Sequence, residues 1–154
     1  MRLTALTLAT ALSGAATLSA AERTAASDGA DMSTLVSAFM DTCVAAFPNY
    51  AEIPRAFAAV GMQAQKDGTW GSHVLHGRVQ KSEGRPCGIF AYGLDPVDAG
   101  ESVLRALAKS GKSVSHASRK GRRTSIEVTI NGQPAIIKIN PLLTNFVDVS
   151  ITKR

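Results

Sequence analysis

An Asn-Gly pair between two alternating runs, Ile126 to Ile139, is the tightest constraint on this chain, because it admits little other than a two-residue β-hairpin. Both central positions of a type I′ turn need positive φ, which Asn131 and Gly132 adopt at low cost. The register follows from the turn. Ile130 stands opposite Gln133, Val128 opposite Ala135 and Ile126 opposite Ile137, so the apolar side chains share one face while Glu127, Thr129 and Lys138 take the other. Pro134 falls opposite Thr129 at a non-hydrogen-bonded pair, where its missing N–H is not needed. A last strand, Phe146 to Thr152, points Val147, Val149 and Ile151 the same way, and two earlier strands are expected at His73 to Gln80 and Cys87 to Tyr92.

A sheet with one apolar face needs a cover. Leu35, Val36, Phe39, Met40, Cys43, Val44 and Phe47 recur at spacings of three and four, which predicts a helix capped by Asp31 or Ser33 and ended by Pro48. Asn49-Tyr50-Ala51-Glu52 has the form of a capping box for a second helix carrying Ile53, Phe57 and Val60 and closed by Gly61, with Pro54 in or near its first turn. A third helix starts at Asp95 as cap and Pro96 as first residue; Val97, Leu104, Leu107 and Ala108 are expected to face inward, and Gly111 stops it. Lys112 to Arg123 is expected to be a polar, basic connection. These elements define a two-layer α+β fold, helices packed on one face of a mainly antiparallel sheet, in the order α-α-β-β-α-β-β-β.

The N-terminus addresses the chain. Arg2 supplies a positive start, Leu3 to Leu12 a short apolar run, and Ser19-Ala20-Ala21 the small residues read by a signal peptidase, so residues 1–21 are expected to be a signal peptide. Residues 22–31 are small and polar and read as a flexible tail; residues 32–154 read as a single disulfide-stapled α+β domain. Losing Arg2 with the leader lowers the formal charge from +5 to +4. No second hydrophobic run follows, so no transmembrane segment is expected in the mature chain, whose destination is periplasmic or secreted.

In an oxidising compartment the chain's two cysteines, Cys43 and Cys87, are expected to pair, since each falls on the inward side of its element. Neither stands in a Cys-x-x-Cys motif, which argues against thiol redox chemistry and haem attachment.

Reactive groups are sparse. His73-x-x-His76, with His116 further on, has metal-ligand spacing on a helix, but in a strand residues three apart point to opposite faces, so no metal site is expected. Ser72 beside His73 is adjacency without a triad, Ser150-x-x-Lys153 lacks its companion motifs, and neither a nucleophile elbow nor a Gly-rich phosphate loop occurs. Asp95, Asp98 and Glu101 are accounted for as cap and first-turn charges, and Glu83 in a Gly-rich loop has no assigned role. No catalytic residue and no cofactor are assigned.

Two features are candidate binding residues. Arg119-Lys120-Gly121-Arg122-Arg123 gathers four cations in five residues, enough to attract a polyanion at short range, and Trp70 in Gly68-Thr69-Trp70-Gly71 offers a stacking platform or, in the plainer reading, a lid over the core edge. No aromatics interleave the cations, so nucleic acid is not the expected partner. The expectation is a small exported, non-enzymatic binding protein, contacting an anionic envelope surface through the basic loop or else a partner protein whose identity the residues do not disclose. The alternatives are a small periplasmic hydrolase or metal-dependent enzyme using His73 or His76, and a protein inhibitor or chaperone-like partner.

Overall fold

The computed structural model describes residues 30–79, 87–143 and 145–154. The leader, most of the tail and Glu83 lie outside them. The last two tail residues belong to the folded part: Ala30 is buried, and Asp31 caps α1 (Met32–Phe39) by accepting from the Thr34 N–H at 2.6 Å. The helix runs on through a wider π turn, Met40–Val44. Leu35, Phe39, Cys43, Val44 and Phe47 are buried along its inner side, and Met40 is half-buried. Asn49 caps a single 3₁₀ turn, Tyr50–Glu52, before α2 (Ile53–Ala59), so Pro54 sits within the first α-helical turn as its fixed φ requires.

Among the described residues eight antiparallel strands follow: β1 (Gln63–Ala64), β2 (Trp70–Gly71), β3 (Leu75–Val79), β4 (Cys87–Tyr92), β5 (Ser113–Lys120), β6 (Arg123–Ile130), β7 (Gln133–Leu143) and β8 (Phe146–Lys153), with α3 (Pro96–Lys109) between β4 and β5. Their spatial order is β1-β2-β3-β4-β8-β7-β6-β5. The chain leaves the middle of the sheet after β4, crosses by way of α3 to the far edge, and walks back through three hairpins until β8 lies beside β4. The core sits between the helices and one sheet face, where Phe39, Phe57, Val103 and Leu107 meet Ile89, Ile126, Ile137, Ile139, Val149 and Ile151. The expected α+β class is the one observed.

The β6–β7 hairpin has the register read from the Asn-Gly turn: Ile126 pairs with Ile137, Val128 with Ala135 and Ile130 with Gln133, and Asn131 and Gly132 both have positive φ. The Asn131 amide also donates to the Phe47 carbonyl at 2.8 Å, tying the hairpin tip to the end of the first helical segment.

Three expectations need correction. The stretch expected to be a basic connection contains β5. All eight of its residues are exposed, so it carries no apolar alternation, and its register is set by Gly121, whose φ of 61° fills the first central position of a tight turn joining Lys120 to Arg123. As an edge strand it is blunted by a bulge between Val114 and His116 and by its cationic end. The inner face of α3 is also rotated from the expected one: Pro96, Ala99, Gly100, Val103 and Leu107 are buried, Val97 and Leu104 are half-buried, and Ala108 is exposed. Gly100 sets that rotation, since a Cβ there would lie 2.6 Å from Thr124 Oγ1 and push the helix off β6. The third correction concerns His73, which lies in the bend before β3 rather than in the strand.

Candidate functional site

Strand alternation divides the basic cluster that the sequence presents as one block. Arg119 turns toward α3, where its guanidinium lies 3.9 Å from Glu101, and Arg122 pairs with Asp95 at 3.1 Å. Both ion pairs are exposed and weak, but they hold two of the four cations against helix carboxylates. Lys120 and Arg123 stand opposite each other in the β5–β6 register. Thr124, the next residue, is buried beneath Gly100, so Arg123 points to the face of the sheet away from the helices.

That open face carries a recess of about 380 Å³ bordered by Arg78, Arg123, Lys138, Asn140, Asp148, Ser150 and Thr152. Arg78 on β3 lies across Gly88 on β4 and donates to both carboxylate oxygens of Asp148 on β8, at 3.0 and 2.9 Å. Gly88 leaves room for this crossing, because a Cβ there would stand 3.3 Å from Asp148 Oδ1 and 3.2 Å from Ser150 Cβ. Asp148 is 3 % exposed, a buried carboxylate on a face otherwise open to water. Arg123 and Lys138 make no ion pair among the described residues. Among the described residues the recess thus holds three cations and one carboxylate that is already engaged.

The sequence reading missed Arg78, Lys138, Asp148 and Gly88 as a group. Each lies at an outward position of its strand, where an isolated charge reads as solvated surface. What brings them together is the strand order, and the pairing of β4 with β8 has no local signature.

The other candidates lie elsewhere. Trp70 is half-buried on β2, its ring 5.9 Å from that of Phe57, at the opposite side of the sheet from β5, so it does not join the basic residues. His73 and His76 border one shallow polar depression together with Gln63, Gln65, Asp67 and Thr69, instead of diverging. Within it the His76 ring stacks on Phe90 at 5.2 Å, and the Asp67 carboxylate accepts from the Thr69 hydroxyl and N–H at 2.7 and 2.9 Å, bonds that hold it below the usual carboxylate range. Among the described residues no three His, Cys, Asp or Glu side chains are grouped to hold a metal ion. The Tyr50 hydroxyl, buried with no hydrogen-bond partner among the described residues, is pushed up to about 12 by desolvation.

Cys43 and Cys87 are joined, both buried, with their Cα atoms 5.5 Å apart. Among the described residues no helix is long and apolar enough to cross a membrane. No protein-family model, curated protein or solved structure matches the chain.

The Asp95 carboxyl is held below its ordinary range, first by the Val97 N–H, then by that of Asp98 and by Arg122. A lowered carboxyl contributes stability that is complete above the unfolded-state value, near pH 4, and lost as the pH falls further. Acid unfolding of the wild type should therefore steepen below about pH 4. Asp95→Ala should lower stability at neutral pH and flatten that acid limb, as read by urea melts at a series of pH values; an unchanged limb would remove the cap from the account.

Proposed function

We propose that this is an exported, non-enzymatic binding protein whose open sheet face takes an anionic group. The observation that carries the reading is the convergence of Arg123 and Lys138, neither ion-paired among the described residues, on a recess that Arg78, Asn140, Ser150 and Thr152 complete with further donors. Cations with water-facing heads and neutral donors between them are the chemistry by which phosphate and carboxylate groups are held. Export is supported by the leader-like N-terminus together with a disulfide, a bond that persists in oxidising compartments. The basic loop takes part through Lys120 and Arg123, its other two arginines being held against α3.

The test is calorimetric titration of the protein with inorganic pyrophosphate at low and moderate salt. Binding is expected to weaken as salt rises. Arg123→Glu and Lys138→Glu should each weaken it at least tenfold, whereas Arg122→Glu should change it less than threefold. Equal losses at Arg122 and Arg123 would return the interaction to the loop as a whole, and the absence of pyrophosphate binding would overturn the reading.

A further inference from the structure

The β5–β6 and β7–β8 turns lie at the same end of the sheet, since β6 begins where β7 ends. Among the described residues the large hydrophobics with clear exposure are Tyr92 (51 %), Val114 (37 %), Leu142 (43 %) and Leu143 (71 %), and three of these four are at that end. Tyr92 pairs with Phe146, and Phe146 with Leu143, so the three form one row across β4, β8 and β7. A register shift between Pro141 and Leu143 inserts Leu142 as an extra residue. In regular alternation one of two neighbouring leucines would face the core; the bulge leaves both outside.

Behind this apolar row stands a polar one. Asn140 pairs with Asp148 two residues back from Phe146, and Arg123 and Lys120 continue that row toward β5. Two residues of strand set the cations roughly 7 Å behind the leucines. This is the order of a bilayer surface met from outside: phosphates first, then the layer where Tyr and Trp rings sit, then acyl chains.

We propose that this end of the sheet docks on a bilayer containing anionic phospholipid, with Leu142 and Leu143 entering the interfacial layer and Lys120 and Arg123 taking lipid phosphates. The inference rests on the anion-binding reading above and names the source of the anion. Charge complementarity argues for the occupant: residues 112–123, which span β5 and its turn, contain five Lys or Arg and no Asp or Glu. The two leucines project from a strand end rather than lining a groove, which suits a fluid surface better than a folded partner. Neither a single cation nor a single leucine anchors a protein; each basic residue is worth about fivefold at an anionic surface, so two contribute about thirtyfold.

The test is co-sedimentation of the mature chain with sucrose-loaded vesicles of phosphatidylglycerol and phosphatidylethanolamine, against phosphatidylcholine alone, alongside pyrophosphate titration of the same variants. Wild type should sediment with the anionic vesicles only. Leu143→Ser, at the more exposed leucine and outside the recess lining, should lose at least fivefold in vesicle partition while binding pyrophosphate like wild type. Lys120→Glu/Arg123→Glu should lose both, and Lys112→Glu, at the far end of β5, should lose less than threefold in either. Wild-type partition by the leucine variant, with pyrophosphate binding intact, would sink membrane docking and leave the anion site standing. Equal losses for Lys112→Glu and Lys120→Glu/Arg123→Glu would reduce the attraction to overall charge and overturn the proposal, and loss of pyrophosphate binding by wild type would sink the anion site itself.

Discussion

Replacing Cys43 and Cys87 together by alanine lowers the unfolding free energy by about 4 kcal/mol on the chain-entropy account of disulfides. The bridge closes a loop with a sequence separation of 44, joining the π turn after α1 to the first residue of β4. Cutting it lets the unfolded chain expand, while the folded chain loses two small side chains that are 0 % and 2 % exposed. For a domain of this size each kcal/mol corresponds to about 4 °C, so the melting temperature should fall by about 15 °C. Small domains are stable by only about 5–15 kcal/mol, which makes this a large share of the total. Reversible urea melts of wild type and double variant measure it, and the m-value should rise because the uncrosslinked chain exposes more surface. A loss under about 1 kcal/mol would mean that packing of α1 on β4 alone holds the two layers together, contrary to the loop-entropy account.

The parts of the fold legible in the residues are those with a period and a punctuation mark. Ile126 to Ile139 has both, and its register follows residue by residue. Strand β5 has neither an apolar face nor a long apolar residue apart from Val114, because an edge strand met only by the flank of α3, where Arg119 reaches Glu101, has little to bury; only Gly121 before the Arg122-Arg123 pair marks a hairpin there. Helix α3 misleads for a different reason. Its bulkiest side chains suggest one inner face, yet the observed face is led by Ala99 and Gly100, since close approach to Thr124 favours small residues over large ones. The site is the least legible part. Arg78, Lys138 and Asp148 come from three strands whose adjacency depends on β8 returning to the middle of the sheet. The basic cluster was visible as a run of charge, but not its division between two faces, which needed the knowledge that it lies on strands.

Asp148→Asn should destabilise the protein and tighten its hold on an anion, two effects of opposite sign from one substitution. The side chain of Asp148 is 4 % exposed and that of Arg78, whose Nη2 donates to both its oxygens, is 25 % exposed. Removing one charge of a buried pair costs several kcal/mol when the other is stranded away from water. Here the guanidinium left behind reaches solvent in part, so the expected loss is at the lower end, about 2 kcal/mol. For the ligand the arithmetic reverses. Among the described residues Asp148 is the one carboxylate bordering the recess, against Arg78, Arg123 and Lys138. Neutralising it removes a repulsion worth about 1 kcal/mol at a separation of about 4 Å in the water-like dielectric of an open recess, or about fivefold in pyrophosphate affinity. A carboxylate that instead received hydrogen bonds from the ligand would show the opposite, weaker binding in the asparagine variant. Urea melts paired with pyrophosphate titration at fixed salt separate the two cases, and a drop in both stability and affinity would identify Asp148 as a ligand contact and overturn the view that its carboxylate acts on the ligand through the charge of the recess.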